Sequence, residues 1–135
     1  MKKFSKILGK IFSYSIIALS VYMLLGVAIQ KDEFYVFGYR PVLVLSGSME
    51  PYMETNSVAI VKKTKDIQEG DVVMFRIDED TRVCHRAVDI DAKGNITTKG
   101  DNNEVADFDK VTKNMVEGKV VARMNFLSDL IGKFR

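Results

Sequence analysis

The sequence predicts an all-β domain behind one N-terminal apolar helix, and three observations carry that prediction. Residues 11–29 form a continuous uncharged run. After Arg40 the chain breaks into short apolar segments separated by Gly, Asn and Asp, the punctuation of strands and turns. No helical stretch alternates with those segments, as a parallel βαβ sheet would require.

The first ten residues contain Lys2, Lys3, Lys6 and Lys10 and no acid, and read as a cytoplasmic basic tail. Ile11–Ile29 follows, with 19 residues, no charge and no proline. A hydrocarbon core about 30 Å thick takes about 20 helical residues, and inside it a helix satisfies its own backbone hydrogen bonds. The lysine bias places the N-terminus in the cytoplasm and residues 30–135 on the far side of the membrane. Gly26-Val27-Ala28 resembles the small-x-small site of a removable signal. The apolar run exceeds the ~7–15 residues of such a signal, which favours an anchor. A buried core helix fits 19 uncharged residues after a lysine-rich start less well.

In the 30–135 domain, Pro41–Leu45 and Val58–Val61 read as buried strands, the second ended by Lys62 and Lys63. Asp71–Arg76 follows the turn residue Gly70. Arg82–Ile90, Asn95–Lys99 and Met115–Met124 complete the set, the last with Val116, Val120 and Val121 facing inward. The expected product is a sheet or a partly closed barrel. In the tail, residues 125–135, Phe126, Leu127, Leu130, Ile131 and Phe134 follow helical spacing, suited either to capping the sheet or to lying on a membrane surface.

Charge and cysteine content exclude several classes. The formal charge is +2, but residues 1–30 hold four lysines, leaving 16 of the 20 basic side chains against all 18 acids. A nucleic-acid binder concentrates positive charge on its folded part; this chain does not. Cys84 is the only cysteine and His85 the only histidine, so neither an internal disulfide nor a His/Cys zinc cluster is available. No metal or organic cofactor is expected.

Chemistry concentrates around Ser46-Gly47-Ser48-Met49-Glu50-Pro51, His85, Asp101 and Asp107. A serine hydroxyl becomes nucleophilic when a base takes its proton. Imidazole, with an unperturbed pKa of about 6.5, suits that work near neutral pH. A carboxylate behind the ring fixes its tautomer. Ser48, His85 and either Asp101 or Asp107 supply these groups, and the Ser48 amide with the Ser46 hydroxyl could stabilise an oxyanion. Taken singly, each has a plainer reading: a Ser-Gly-Ser turn, a strand histidine, an Asx loop at Asp101-Asn102-Asn103, a surface charge at Asp107. Cys84 reads as a small buried or half-buried side chain.

Four elements in order give these residues a context. Ser46-Gly47-Ser48-Met49-Glu50-Pro51, Gly70-Asp71-Val72-Val73-Met74-Phe75, Val83-Cys84-His85-Arg86 and Gly100-Asp101-Asn102-Asn103 follow the apolar run. In this arrangement the chain resembles a type I signal peptidase over nearly its whole length. Histidine, where the common bacterial type has lysine, is similar to the subtype of archaea, the endoplasmic reticulum and some Gram-positive bacteria, the SipW-like enzymes.

The resemblance implies a signal-peptidase-type β catalytic domain and a membrane-bound serine endopeptidase. Such an enzyme removes signal peptides from exported preproteins through an acyl-enzyme. It implies Ser48 as nucleophile, His85 as general base, Asp107 as the acid that orients it, Asp101 as a supporting acid, and Ser46 with Ser48 at the oxyanion hole. Leu43, Leu45 and Met49 are candidates for shallow pockets that take small side chains before the cut. The implied partners are preproteins and membrane lipid; accessory membrane subunits stay open. Relatives often carry a second apolar helix at the C-terminus. Arg135 falls where one would begin, which fits a single-span member or a piece of a longer chain. The rival class is a non-catalytic membrane-anchored assembly factor for surface structures such as pili. Retention of Ser48, His85 and Asp107 weighs against it. A self-cleaving Ser/Lys repressor of related fold fits poorly, given the apolar run and a histidine at the base position.

Overall fold

The computed structural model describes residues 1–30, 34–125, 130 and 133, in two units, Met1–Val36 and Phe37–Arg135. The segment read as an amphipathic tail, 125–135, lies almost wholly outside the described residues.

In the first unit, helix α1 spans Lys2–Gln30 and takes in both the lysine-bearing start and the apolar run. Its stretch Lys2–Gly26 is long and apolar enough to cross a membrane. Three serines in that stretch bond within the helix. The hydroxyls of Ser13, Ser15 and Ser20 donate to the carbonyls of Gly9, Ile11 and Ile16, four residues back, at 3.0, 2.8 and 2.9 Å. A hydroxyl that bonds its own helix needs no water, so it is tolerated among lipid chains. Tyr22 packs its ring against Phe34, with centroids 5.6 Å apart.

The second unit is an antiparallel six-stranded sheet. Its strands are β1 (Tyr39–Leu43), β2 (Val58–Lys63), β3 (Val72–Arg76), β4 (Arg82–Ile90), β5 (Ile96–Lys99) and β6 (Val116–Met124). They lie in the order β1-β2-β6-β3-β4-β5. Each strand matches its sequence segment within a residue or two. Pro41 sits in β1, an edge strand, where a missing N–H costs no ladder bond.

β3 lies between two apolar clusters. Val72, Val73, Met74 and Phe75 are all buried, although alternate side chains point to opposite faces. Val72 and Met74 enter one core with Met49, Met53, Ala59, Val61 and Val120. Val73 and Phe75 enter a second core with Ala87, Ile96, Val111 and Val116. A sheet with apolar groups on both faces must cover both, and the loops after β1 and β5 supply much of that cover.

Of the three β6 valines expected to face inward, Val116 and Val120 do so; Val121 is 46% exposed. The reason is a bulge. Val61 pairs with Val120, but Ile60 pairs with Ala122, so Val121 is an extra residue that turns outward. Close to this irregularity, β6 approaches β2 tightly at Gly118. A Cβ there would lie 2.3 Å from the Lys62 carbonyl oxygen and 2.8 Å from Val61 Cγ1. Gly118→Ala should therefore push two paired strands apart and lower stability by about 1–3 kcal/mol. Denaturant unfolding of the full chain in detergent measures this, and an unchanged midpoint would contradict the tight approach.

Candidate active site

The loop joining β1 to β2 is shaped by what it buries. Met49 and Met53 are each 1% exposed and plug one core; burying a side chain of that size contributes about 1.5–3 kcal/mol. The Met53 N–H donates to the Met49 carbonyl at 3.0 Å, and the Glu50 N–H to the Gly47 carbonyl at 3.2 Å. Glu50 Oε1 then accepts from the Thr55 N–H and Oγ1 at 3.3 and 3.0 Å, closing the turn. The neck is sealed by the Val44 N–H on Ser57 O and the Asn56 N–H on Val44 O, at 2.9 and 2.8 Å. Ser48 lies one residue before the buried anchor Met49, at the half-exposed crest of the turn.

His85 is central in β4, paired with Val73 of β3. Its ring stands edge-on to Phe75, with centroids 6.5 Å apart. Asp107 comes from the loop between β5 and β6. The three side chains meet in series: His85 Nε2 is 3.2 Å from Ser48 Oγ, and His85 Nδ1 is 2.5 Å from Asp107 Oδ2. A carboxylate only accepts, so Nδ1 carries the hydrogen and Nε2 is left as the acceptor facing the hydroxyl. Such a series can draw the proton from a serine as it attacks a carbonyl. Ser46 Oγ lies 3.3 Å from Ser48 Oγ, and either hydroxyl can be the donor.

The sequence leaves the carboxylate behind the ring as Asp101 or Asp107; the geometry separates them. Asp101 faces Arg86. Its two oxygens accept from Arg86 Nε and Nη2 at 2.8 and 2.7 Å. Those bonds hold the guanidinium's pKa above its ordinary value. Arg86 also donates to the Gly70 carbonyl at 2.8 Å and lies over the Tyr52 ring at 4.8 Å, with Arg123 over the same ring at 4.1 Å.

The backbone around Asp101 holds the serine turn. The Asn102 N–H donates to the Ser48 carbonyl at 2.9 Å, Asn102 Nδ2 to the Gly47 carbonyl at 3.1 Å, and the Asp101 N–H to Met49 Sδ at 3.4 Å. Gly100 permits this approach, since a Cβ there would fall 2.7 Å from the Ser48 carbonyl oxygen.

Beside these groups opens a cleft of about 610 Å³. Leu43, Leu45, Ser46, Ser48, Met49 and His85 are among the residues that line it. All three residues read as pocket candidates thus border it. Leu43 and Leu45 are 55% and 78% exposed and offer apolar surface to an occupant, whereas Met49 is packed into the core. Burial pushes the Cys84 thiol up to about 12, which keeps it protonated and unreactive near neutral pH.

Thr98, Arg86 and Asn102 contact the site, yet as single residues none suggests chemistry. Thr98 had one available signal: alternation in Ile96-Thr97-Thr98-Lys99 turns its hydroxyl inward, where it must find a partner.

Comparison with known proteins gives this geometry a lineage. Residues 39–121 match the Peptidase S24-like family. Signal peptidase I W of Bacillus subtilis is 41% identical over 125 residues, covering 88% of this chain and 65% of that protein. The human signal peptidase complex catalytic subunit SEC11C is 35% identical over 101 residues, covering 67% of this chain and 53% of that protein. The SEC11 subunit of Yarrowia lipolytica is 41% identical over 71 residues, covering 49% of this chain and 41% of that protein. This chain therefore spans between about half and two thirds of the first two relatives. The chain belongs to the Peptidase S24-like family, among type I signal peptidases of the kind represented by signal peptidase I W and the SEC11 subunits.

Proposed function

We propose that this chain is a membrane-bound serine endopeptidase that removes signal peptides from exported preproteins. The observation that carries the reading is the hydrogen-bonded series Ser48–His85–Asp107 beside an open apolar cleft. Family membership and the names of the relatives support the same substrate class. No observation favours the assembly-factor reading.

His85 Nε2 accepts the Ser48 proton as Oγ attacks the scissile carbonyl. The tetrahedral oxyanion takes hydrogen bonds from the Ser48 amide and the Ser46 hydroxyl. His85 then hands its proton to the leaving amine, and the mature protein departs. Water, deprotonated by His85, attacks the ester left on Ser48 and releases the signal fragment. Asp107 holds the ring and offsets the imidazolium charge at each stage. Asp101 supports indirectly: by neutralising Arg86 it removes a bare cation one residue from the ring that must become positive.

The substrate lies extended in the cleft, its small side chains before the cut facing Leu43 and Leu45. Its apolar segment stays in the bilayer with α1. The lysines of residues 2–10 orient that helix with its N-terminus in the cytoplasm, so cleavage occurs on the opposite side.

The direct test is cleavage of a purified preprotein by the full chain in detergent. Ser48→Ala should abolish it with folding intact; retained cleavage would remove Ser48 as nucleophile. Replacing His85 with Ala should likewise abolish cleavage; retained cleavage would exclude His85 as base. Gly100→Ala should displace the Ser48 carbonyl and depress kcat at least tenfold, about 1.4 kcal/mol in barrier. Full activity in that variant would show that the turn at 100–103 does not set the serine.

A further inference from the structure

We propose that Thr98 is a positioning residue, whose hydroxyl fixes the carboxylate of Asp107 for His85. The inference rests on the reading above, but its evidence is separate. Thr98 is 0% exposed, and Ser57 is the only other buried polar residue among those described. The Ser57 hydroxyl donates within its own loop, to the Glu54 carbonyl at 2.6 Å. The Thr98 hydroxyl leaves its strand and donates to Asp107 Oδ2 at 2.7 Å. That is the oxygen His85 Nδ1 meets. The backbone repeats the grip, with the Asp107 N–H donating to the Thr98 carbonyl at 2.8 Å.

The clamp answers a particular need. Asp107 lies in no strand, its side chain is 28% exposed, and its neighbours Val105 and Phe108 are 76% and 100% exposed. A carboxylate on such a loop can turn both oxygens to water. Thr98 sits on β5, paired with Ala87 of β4, two residues along from His85. The hydroxyl therefore ties Asp107 to the same rigid strand pair that carries the imidazole. A second donor on Oδ2 also holds that oxygen toward the ring, which fixes the Nδ1–H tautomer and leaves Nε2 free to accept from Ser48.

Two substitutions separate positioning from packing. Thr98→Val keeps the side chain's shape and loses its hydroxyl; Thr98→Ser keeps the hydroxyl and loses a methyl group. Positioning requires Thr98→Val to lower kcat by about 10- to 100-fold, the range of a hydrogen bond to a charged group. KM should hold, and Thr98→Ser should stay near wild type. A packing role gives the reverse order and would overturn the proposal. In an Asp107→Ala background Thr98→Val should cost nothing more, because its effect passes through Asp107; a further loss would also overturn it.

A readout besides cleavage keeps the two readings distinct. His85 is the only histidine, so a downfield ring proton in the NMR spectrum of the detergent-solubilised chain can be sought without competing histidines. That signal should persist in Thr98→Ser and be lost to exchange in Thr98→Val. Persistence in Thr98→Val refutes the clamp, whatever the cleavage data. Wild-type cleavage by Asp107→Ala would instead refute the catalytic role of Asp107, while the ring proton still decides whether Thr98 holds it.

Discussion

The site depends on one loop-to-loop contact, the turn at 100–103 laid against the backbone of 47–49. Of the three groups in the hydrogen-bonded series, only His85 stands on a strand; Ser48 and Asp107 both come from loops. A loop alone positions a side chain poorly, and a displacement of 1 Å is enough to cost a reacting geometry dearly. Here the Ser48 carbonyl, the Gly47 carbonyl and the Met49 sulfur all receive donors from Asn102 or Asp101. The same turn continues into the loop that carries Asp107. One connection between β5 and β6 thus both holds the serine turn and carries the carboxylate.

That contact needs two supports of different kinds. Beneath it, Met49 and Met53 drive the serine loop into an apolar core, so burial energy holds the loop down while the hydrogen bonds set its register. Beside it, the Arg86–Asp101 pair anchors the turn to β4 by a two-pronged ion pair. Arg86 stacks on Tyr52, which belongs to the serine loop. The guanidinium consequently touches both loops and the Gly70 carbonyl. Exposed ion pairs are worth little as free energy; this one matters for geometry, because a planar fork meeting both carboxylate oxygens allows one orientation.

Much of this was legible in the sequence because it is periodic or local. Asp71–Arg76 reads as a strand after the turn residue Gly70, and Val72–Arg76 is one. Ser48, His85 and Asp107, all singled out in the sequence, meet in one hydrogen-bonded series. What was not legible arises between segments distant in sequence. The bulge that turns Val121 outward is a property of the β2–β6 pair, and no periodicity in β6 alone announces it. The separation of Asp101 from Asp107 depends on which acid Arg86 reaches. Thr98 gave only a polar residue at an inward position, a sign that a partner exists but not which one.

The adjacent pair Cys84-His85 shows how alternation assigns chemistry. A thiol beside an imidazole is a nucleophile-base pair in composition, and Cys84 borders the cleft with His85. In a strand, however, successive side chains leave opposite faces. Cys84 packs against the methionine core, while the His85 ring stands against Phe75 of the other core. The imidazole is therefore turned from its covalent neighbour toward a hydroxyl 37 positions earlier in the chain. Burial adds a second barrier, since a thiol held at about 12 supplies almost no thiolate near neutral pH. Of the two groups, the hydroxyl is the one that meets the ring nitrogen left free by Asp107.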